Sequence, residues 1–261
     1  MQQQKSVRIS ERAGDTMSSF TFNGVSSDTL GIIITKPIIR PSWAPEVEYT
    51  PVPGKAQTLP FTKDWYPNRS FTVKACMSDA SPAKVQQIYD TLRGYGTLVI
   101  STSPNEQLNV YVEELDPEGV ALLMAEFPIK FNAEPFAYAT TAKSQSIVGE
   151  NVEVNNEGTA YVDPLITIIP SQATTSISCN GVVMTVATPQ EIIDASYAST
   201  YSITLDCEGE LAYYTKPDST KVGCTQKTTG KFPRLHTGKN YITIEEGTVQ
   251  SAALVMRERW Y

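Results

Sequence analysis

The sequence predicts a mainly β chain that folds as two β-rich domains. Three observations support this prediction: short runs in which apolar and polar residues alternate, turn signals from 15 Gly and 17 Pro, and only one segment with clear helical periodicity. Alternation has the period of a strand that buries one face. A chain of 261 residues is long enough for two domains of ordinary size.

The first domain opens with a predicted β-hairpin. The run Phe20-Thr21-Phe22 leads into Asn23-Gly24, and both of these turn residues tolerate the positive φ angles of a type I′ turn. A second apolar run covers residues 30–34. These features predict a small antiparallel unit at the start of the domain.

A proline-rich arm follows, with prolines at 37, 41, 45, 51 and 53 and with Trp43 and Tyr49 among them. Proline cannot donate to a central ladder, so the segment should lie at a sheet edge or project as an arm. An extended arm has no core of its own. We therefore expect Trp43 and Tyr49 to be buried by a neighbouring subunit, with packing on their own domain as the alternative.

One helix is predicted between Ser81 and Gly94. Ser81 is placed as the N-cap, Pro82 suits the first helical position, and Gly94 is placed to end the helix. Its apolar face consists of Val85, Ile88, Tyr89 and Leu92. This spacing predicts core packing against a sheet, and a groove for a partner is the less favoured alternative.

Strands are predicted on both sides of the helix, at 69–75, 97–100, 108–115 and 121–131. The last two are separated by the turn signal Asp116-Pro117-Glu118-Gly119, so they should form a long hairpin. The first domain is therefore predicted as an α+β sandwich with one helix and an extended arm.

The second half of the chain predicts a β-sandwich or jelly roll. Strand-like runs cover 158–169, 177–186, 201–208 and 240–245, and Asn180-Gly181 is a second hairpin signal. Leu254 and Met256 close the pattern. The predicted organisation is an extension over 1–16, a first domain over 17–140, a linker over 141–157 and a second domain over 158–261.

The order of several short motifs resembles the phage distal tail protein (Dit) family. In the first domain these are Phe20-Thr21-Phe22-Asn23-Gly24, Ser27-Asp28-Thr29-Leu30-Gly31-Ile32, Glu48-Tyr49 and Val52-Pro53-Gly54. In the second, the run 232–242 is similar to the late FP-x-L-x-x-G-x-N segment of the family. Residues 1–16 lie outside the resemblance.

The resemblance implies a structural protein of the virion at the tip of a siphophage tail. The first domain would form a hexameric ring around the DNA channel, and the second would be a galectin-like sandwich pointing outward. The ring would join the tail tube protein to the tail-associated central fibre or hub protein, after assembly in the host bacterial cytoplasm. Receptor-binding proteins or a cell-surface glycan are further partners. The arm contact between subunits would use Trp43, Glu48, Tyr49, Val52, Pro53 and Gly54.

The residues themselves give no support for catalysis or for a cofactor. The single histidine, His236, lies in a Gly- and Pro-rich turn, and the sequence has no G-x-S-x-G motif. One histidine and four dispersed cysteines do not provide a zinc site, and glycine-rich nucleotide motifs are absent. We therefore expect no enzyme, no metal and no cofactor.

The charge pattern excludes other classes of partner. The net charge is −7 and no cluster of Lys and Arg is present, so specific nucleic-acid binding is not expected. No apolar run is long enough to span a membrane.

The cysteines lack C-x-x-C spacing and are expected to stay reduced, with a Cys207–Cys224 disulfide as the alternative.

Tyr213, Tyr214 and Trp260 suggest a glycan platform, because sugar rings pack on aromatic faces. Core or inter-subunit packing is the competing interpretation of these residues. Two other functions for the whole chain stay open. One is a carbohydrate-binding module for host adhesion, and the other is a tube or hub component of a contractile tail-like particle.

Overall fold

The computed structural model describes residues 18–40, 43–63, 65–77, 79, 81–116, 126–244 and 248–261. The chain divides into two units. The first takes its described residues from Met1–Pro41, Arg69–Pro104 and Asn109–Ala133, and the second from Ser42–Asn68, Asn105–Leu108 and Glu134–Tyr261. The structure is mainly β, as the sequence predicts. The predicted extension, 1–16, lies outside the described residues.

The first half of the chain holds nine of the described strands and one helix. The strands are β1 Phe20–Phe22, β2 Val25–Ser26, β3 Ile32–Ile34, β4 Val47–Pro51, β5 Thr58–Thr62, β6 Arg69–Met77, β7 Gly94–Ile100, β8 Glu106–Leu115 and β9 Phe127–Ala139. The helix is α1, Pro82–Thr91.

The second half holds the remaining described strands and one short helix. The strands are β10 Lys143–Ser146, β11 Gly149–Asn156, β12 Leu165–Pro170, β13 Thr174–Cys179, β14 Val182–Ala187, β15 Ser202–Asp206, β16 Leu211–Thr215, β17 Lys221–Gly223, β18 Thr228–Gly230, β19 Gly238–Ile244, β20 Val249–Met256 and β21 Arg259–Trp260. The helix is α2, Gln190–Asp194, and a 3-10 turn covers Thr225–Lys227.

The predicted opening hairpin is confirmed. Asn23 and Gly24 have φ angles of 47° and 82°, and Phe22 pairs with Val25 across the turn. Positive φ at both central positions is the requirement of a type I′ turn. The Asn23 side chain also accepts a hydrogen bond of 2.8 Å from the backbone of Thr97, which fixes the turn against β7.

The strands of the first unit belong to a sheet with the order β2-β1-β7-β8-β9-β6-β3. Its core is built around Phe131, whose ring lies 5.8 Å from Phe20 and 5.6 Å from Phe71. The predicted inward side chains of β6, Phe71, Val73 and Ala75, are all buried. β8 and β9 are neighbours as predicted, while 117–125, which include most of their turn signal, lie outside the described residues.

Helix α1 buries the apolar face that its spacing predicts, since Val85, Ile88 and Leu92 are all at most 6% exposed. Ser81 takes the N-cap position, but its hydroxyl caps no backbone N–H and instead donates to the Asp79 carboxylate at 3.2 Å. The helix ends before Gly94, which begins β7 with a φ of 68°.

The second unit contains a β-sandwich. One sheet has the order β10-β20-β12-β15-β16-β17 and the other β11-β19-β13-β14-β18. Buried side chains from both sheets form one apolar core, for example Ile166, Leu205 and Leu254 from the first and Ile177 and Ile242 from the second. This packing of two inner faces is the arrangement that alternating strands predict.

The segment 141–157, expected to be a linker, instead forms β10 and β11. β10 pairs with β20 and β11 with β19, so both strands belong to the sandwich sheets. All the residues of β10 are exposed, because it is the edge of its sheet. A strand exposed on both faces needs no apolar alternation, and its polar sequence therefore resembled a connection.

The second predicted hairpin is also confirmed. Asn180 and Gly181 have φ angles of 51° and 83°, and Cys179 pairs with Val182. Pro164 precedes β12, and its carbonyl accepts a hydrogen bond of 3.2 Å from the backbone N–H of Cys207.

Candidate functional site

The proline-rich arm forms an antiparallel hairpin of β4 and β5. Val47 pairs with Thr62 at one end and Pro51 with Thr58 at the other. At the tip, Gly54 has a φ of 81° and Lys55 donates a backbone hydrogen bond of 3.0 Å to Val52. Proline followed by a glycine of positive φ is the signature of a type II turn. Pro53 and Gly54 therefore shape the tip of the arm.

Both faces of this hairpin carry exposed apolar side chains. Val47 and Tyr49 lie on one face, and Leu59 and Phe61 on the other, since directly opposed residues share a face. Tyr49 is 65% exposed and Phe61 is 55% exposed. A two-stranded hairpin without cover is marginally stable in water. The arm thus presents exposed apolar side chains on both of its faces.

The base of the hairpin is held by ion pairs and ladder bonds. Lys63 Nζ lies 3.3 Å from a Glu46 carboxylate oxygen and 3.6 Å from one of Glu48. The hydrogen bond to Glu46 and its charge raise the pKa of Lys63 above its ordinary value. Because these side chains are solvent-exposed, the two ion pairs contribute little to the stability of the hairpin.

The residues predicted for the arm contact lie in two environments. Glu48, Pro53 and Gly54 are exposed like Tyr49, and Val52 is half-buried. Trp43 differs, because only 7% of it is exposed in the single chain. Its indole Nε1 is buried and has no hydrogen-bond partner among the described residues. Little of this ring is available to a neighbour, and its role between subunits stays a prediction.

An aromatic cluster fixes the segment that follows the hairpin. The Tyr66 ring lies 5.0 Å from Tyr261 and 5.6 Å from Phe136, and Phe136 lies 5.5 Å from Tyr261. Burial, together with the hydrogen bond from Tyr66, raises the pKa of Tyr261 to about 12. The three rings attach the chain after β5 to the last described residue.

An ionic network with a buried centre, Arg259 and Asp163, lies beside this cluster. Arg259, whose side chain is 7% exposed, donates to Asp163 at 3.3 Å and to Glu208 at 2.6 Å. Asp163 also accepts a 2.7 Å hydrogen bond from Arg234, whose guanidinium lies 4.2 Å from the Tyr161 ring. No local pattern in the sequence predicts this network, because Arg259 and Asp163 are 96 residues apart.

The structure does not form a glycan platform from Tyr213, Tyr214 and Trp260. Tyr213 and Tyr214 are neighbours on β16 and so point to opposite faces of the sheet. Tyr214 is 8% exposed and its hydroxyl donates to Glu191 at 2.9 Å. Trp260 is half-buried in β21, which pairs with β9. The period-2 alternation of the strand could have excluded a shared Tyr213–Tyr214 surface.

Chemically reactive side chains are dispersed or buried. Among the described residues, no group of three His, Cys, Asp or Glu side chains is close enough to hold a metal. All four cysteines are free, and burial raises the pKa of Cys179, Cys207 and Cys224. No helix in the described part of the chain has the length and apolar character needed to cross a bilayer.

The fold defines a class of protein: a mainly β chain with a β-sandwich in its second unit and an exposed hairpin arm. In particular, it is the fold of the phage distal tail proteins, as the sequence motifs predict. The crystal structure of the SPP1 Dit protein is similar with a TM-score of 0.71, at 13% sequence identity, over 94% of this chain and 99% of that one. That protein is described as a paradigm of the hub adsorption apparatus in phages that infect Gram-positive bacteria.

A second solved structure is less similar to this chain. A structure of the phage P2 baseplate in its activated conformation with Ca covers 92% of this chain and 98% of the matched chain, with a TM-score of 0.47 and 6% identity. No protein-family model and no curated protein sequence matches this chain.

Proposed function

We propose that this chain is a distal tail protein, a structural component that assembles with copies of itself at the tip of a phage tail. The observation that carries the proposal is the agreement with SPP1 Dit along nearly the whole length of both chains. The order of the sequence motifs in both halves supports the same role. The proposed role is non-enzymatic and its location is the virion, after assembly in the bacterial cytoplasm.

The exposed hairpin supplies the contact between subunits in this proposal. Tyr49 and Phe61 project from opposite faces of the arm, so a neighbour has to cover both faces. A contact between the arm of one copy and a different surface of the next is heterologous, and heterologous contacts close into rings when the rotation permits. The family resemblance sets the expected number of copies at six.

The ring acts as an adaptor around the DNA channel. One side stacks on the last ring of the tail tube protein, and the other receives the central fibre or hub protein. The predicted C-terminal domain, 158–261, takes receptor-binding proteins on the outside of the ring. The net charge of −7, without a basic cluster, suits a channel through which DNA passes without adhering.

Native mass spectrometry and negative-stain electron microscopy of the purified chain test the ring. We expect ring-shaped particles of one defined copy number at about 100 µM, a concentration that populates even a micromolar contact. Solely monomeric protein, both alone and with the tail tube protein, would contradict the proposal.

Substitutions on the two faces of the arm test the contact itself. Tyr49→Ser and Phe61→Ser should each shift the equilibrium towards monomer by at least about tenfold, because each removes an aromatic anchor from the interface. Tyr241→Ser is the matched control, since Tyr241 is 45% exposed on a strand of the sandwich. If rings form but the arm variants assemble like the control, the ring stands and the role of the arm is wrong.

A further inference from the structure

A cleft of about 790 Å³ opens on the sandwich of the second unit. Five segments build its walls: residue 163 before β12, the turn between β13 and β14, the turn after β15, the 3-10 turn, and the chain from β18 towards β19. The last of these contributes Lys231, Phe232, Arg234 and His236, and Asp163, Asn180 and Glu210 come from the others. Small-molecule sites in proteins have volumes of roughly 300–1,000 Å³, so the cleft has the size of a ligand site.

The wall that carries the cations is held firmly. Gly230 has a φ of 101°, and a Cβ added there would collide with the backbone carbonyl of Val183. This close approach, together with the pairing of Gly230 and Met184, fixes the segment against β14. Side chains that follow Gly230 therefore start from a defined backbone.

The Arg234 guanidinium is pre-positioned within that wall. Its Nε donates to Asp163 at 2.7 Å and its plane lies against Tyr161, while its terminal nitrogens donate to none of the described residues. Asp163 is 8% exposed and is also paired with Arg259, so its charge is already compensated inside the protein. Fixed N–H groups that still lack an acceptor are suited to bind an incoming oxygen.

Several other polar side chains line the cleft. Those of Lys231, His236 and Glu210 are exposed and form no hydrogen bond or ion pair with the described residues, although the charge of Glu210 acts on Arg234. The two lining cations, Arg234 and Lys231, outnumber Glu210, because the other lining carboxylate, Asp163, is also paired with Arg259. Beside them Phe232 is half-buried and packs against the core, which holds its ring in place.

We propose that this cleft binds a saccharide that carries an acidic group. Sugar hydroxyls both donate and accept, which matches a lining of Arg, Lys, His and Glu side chains. The apolar face of a sugar ring packs on the Phe232 ring, and the acidic group pairs with Arg234 and Lys231. An apolar ligand would have to desolvate these charges without compensation. A small inorganic anion would leave most of the cleft unfilled.

This assignment goes beyond the proposed ring, which does not need the cleft. It also differs from the platform that the sequence suggested, because Tyr213, Tyr214 and Trp260 are not among the lining residues. Failure of saccharide binding would leave ring assembly untouched. The two proposals can therefore be overturned separately.

Calorimetric titration of the full chain tests the assignment. The acidic probes are trigalacturonic acid and glucose phosphate, the neutral counterparts are galactotriose and glucose, and pyrophosphate is the anion without a sugar. We expect saturable binding of at least one acidic probe, at least about tenfold tighter than its neutral counterpart and than pyrophosphate.

Charge reversal in the cleft supplies the matched variants. Lys231→Glu should weaken that binding at least about tenfold, whereas Lys74→Glu makes the same charge change at an exposed position of β6 and should leave it unchanged. No binding of either acidic probe up to about 10 mM would overturn the proposal. Equal affinity for pyrophosphate, equal affinity for the neutral sugars, or equal binding by both variants would overturn it as well.

Discussion

The Tyr66 hydroxyl donates a hydrogen bond to the Tyr261 hydroxyl at 3.2 Å, and the two rings lie 5.0 Å apart. These residues are 195 positions apart in the sequence. Through them the segment that leaves the exposed hairpin is attached to the end of the second unit. The hairpin thus has a fixed base although both of its faces are uncovered.

Truncation of Tyr66 should loosen that base. Tyr66→Ala removes ring contacts with both Phe136 and Tyr261, each worth about 1 kcal/mol. Hydrogen exchange of the β4 and β5 amides, followed by mass spectrometry, should become severalfold faster. Tyr66→Phe keeps the rings and should exchange nearly as the parent protein does. Equal exchange in both variants would show that the cluster does not support the arm.

Loss of Arg259 should destabilise the second unit strongly. The Arg259 side chain is 7% exposed and pairs with Asp163, which is itself buried, so Arg259→Met removes one of the two cations that compensate this carboxylate. Because Arg234 still pairs with Asp163, the cost should be about 1–3 kcal/mol, below that of leaving a buried charge alone. The urea concentration at the midpoint of β-sandwich unfolding should therefore fall.

A surface pair provides the control for Arg259. Lys239 and Glu153 are 64% and 44% exposed at 3.0 Å, and Lys239→Met should leave the urea midpoint within error. If both variants unfold at the same urea concentration, the Arg259 network does not stabilise the fold.

Gly158 should tolerate no side chain. A Cβ there would collide with the Arg259 carbonyl and lie 2.9 Å from the Arg259 nitrogen, and backbone atoms cannot move aside cheaply. Gly158→Ala should cost about 1–3 kcal/mol in the free energy of unfolding, measured in urea. Gly209→Ala is the matched control, because its nearest neighbour is the Leu211 side chain at 3.4 Å. If the two variants unfold at the same urea concentration, the close approach of Gly158 to the Arg259 backbone is refuted.

Acid should weaken the first unit through Glu113. Hydrogen bonds from Lys130, Asn132 and Ser70 lower the pKa of Glu113 below its ordinary value of 4.5. A lowered pKa adds stability above pH 4.5, and this contribution is lost as the pH falls through the lowered pKa. Glu113→Gln should therefore unfold at lower urea than the parent at pH 7, and the difference should shrink as the pH falls below 4.5. If the difference between the urea midpoints of the parent and the variant does not change with pH, the ionised Glu113 carboxylate is not the cause of that difference.

Thiol accessibility should follow burial. Cys179, Cys207 and Cys224 are buried and free, and Cys76 is half-buried. Thiolate is the reactive form, and burial raises the pKa of the three buried thiols. Ellman's reagent should find at most the Cys76 thiol in the native protein and all four after unfolding in urea. Two thiols fewer in the unfolded protein would reveal the disulfide that the sequence left open.

Local chemistry alone specified several elements of this protein. Asn23-Gly24 and Asn180-Gly181 predicted both type I′ hairpins, because a positive φ at two successive positions is a property of those residues and needs no tertiary contact. The face of α1 and the inward side chains of β6 followed from the 3.6- and 2-residue periods. The order of motifs also predicted the Dit-type fold.

Other features became evident only in the tertiary structure, because they depend on residues that are far apart in the sequence or on strands that bury neither face. β10 is an edge strand exposed on both faces, so no hydrophobic period marked it. Asp163 and Arg259 meet across 96 residues, and the cleft combines five segments that are separate in the sequence. The sequence predicted a proline-rich arm, but only the assembled backbone showed which of its rings are exposed. The physical reason is that burial, ion pairing and cavities are properties of neighbours in space, and these neighbours exist only after the sheets have formed.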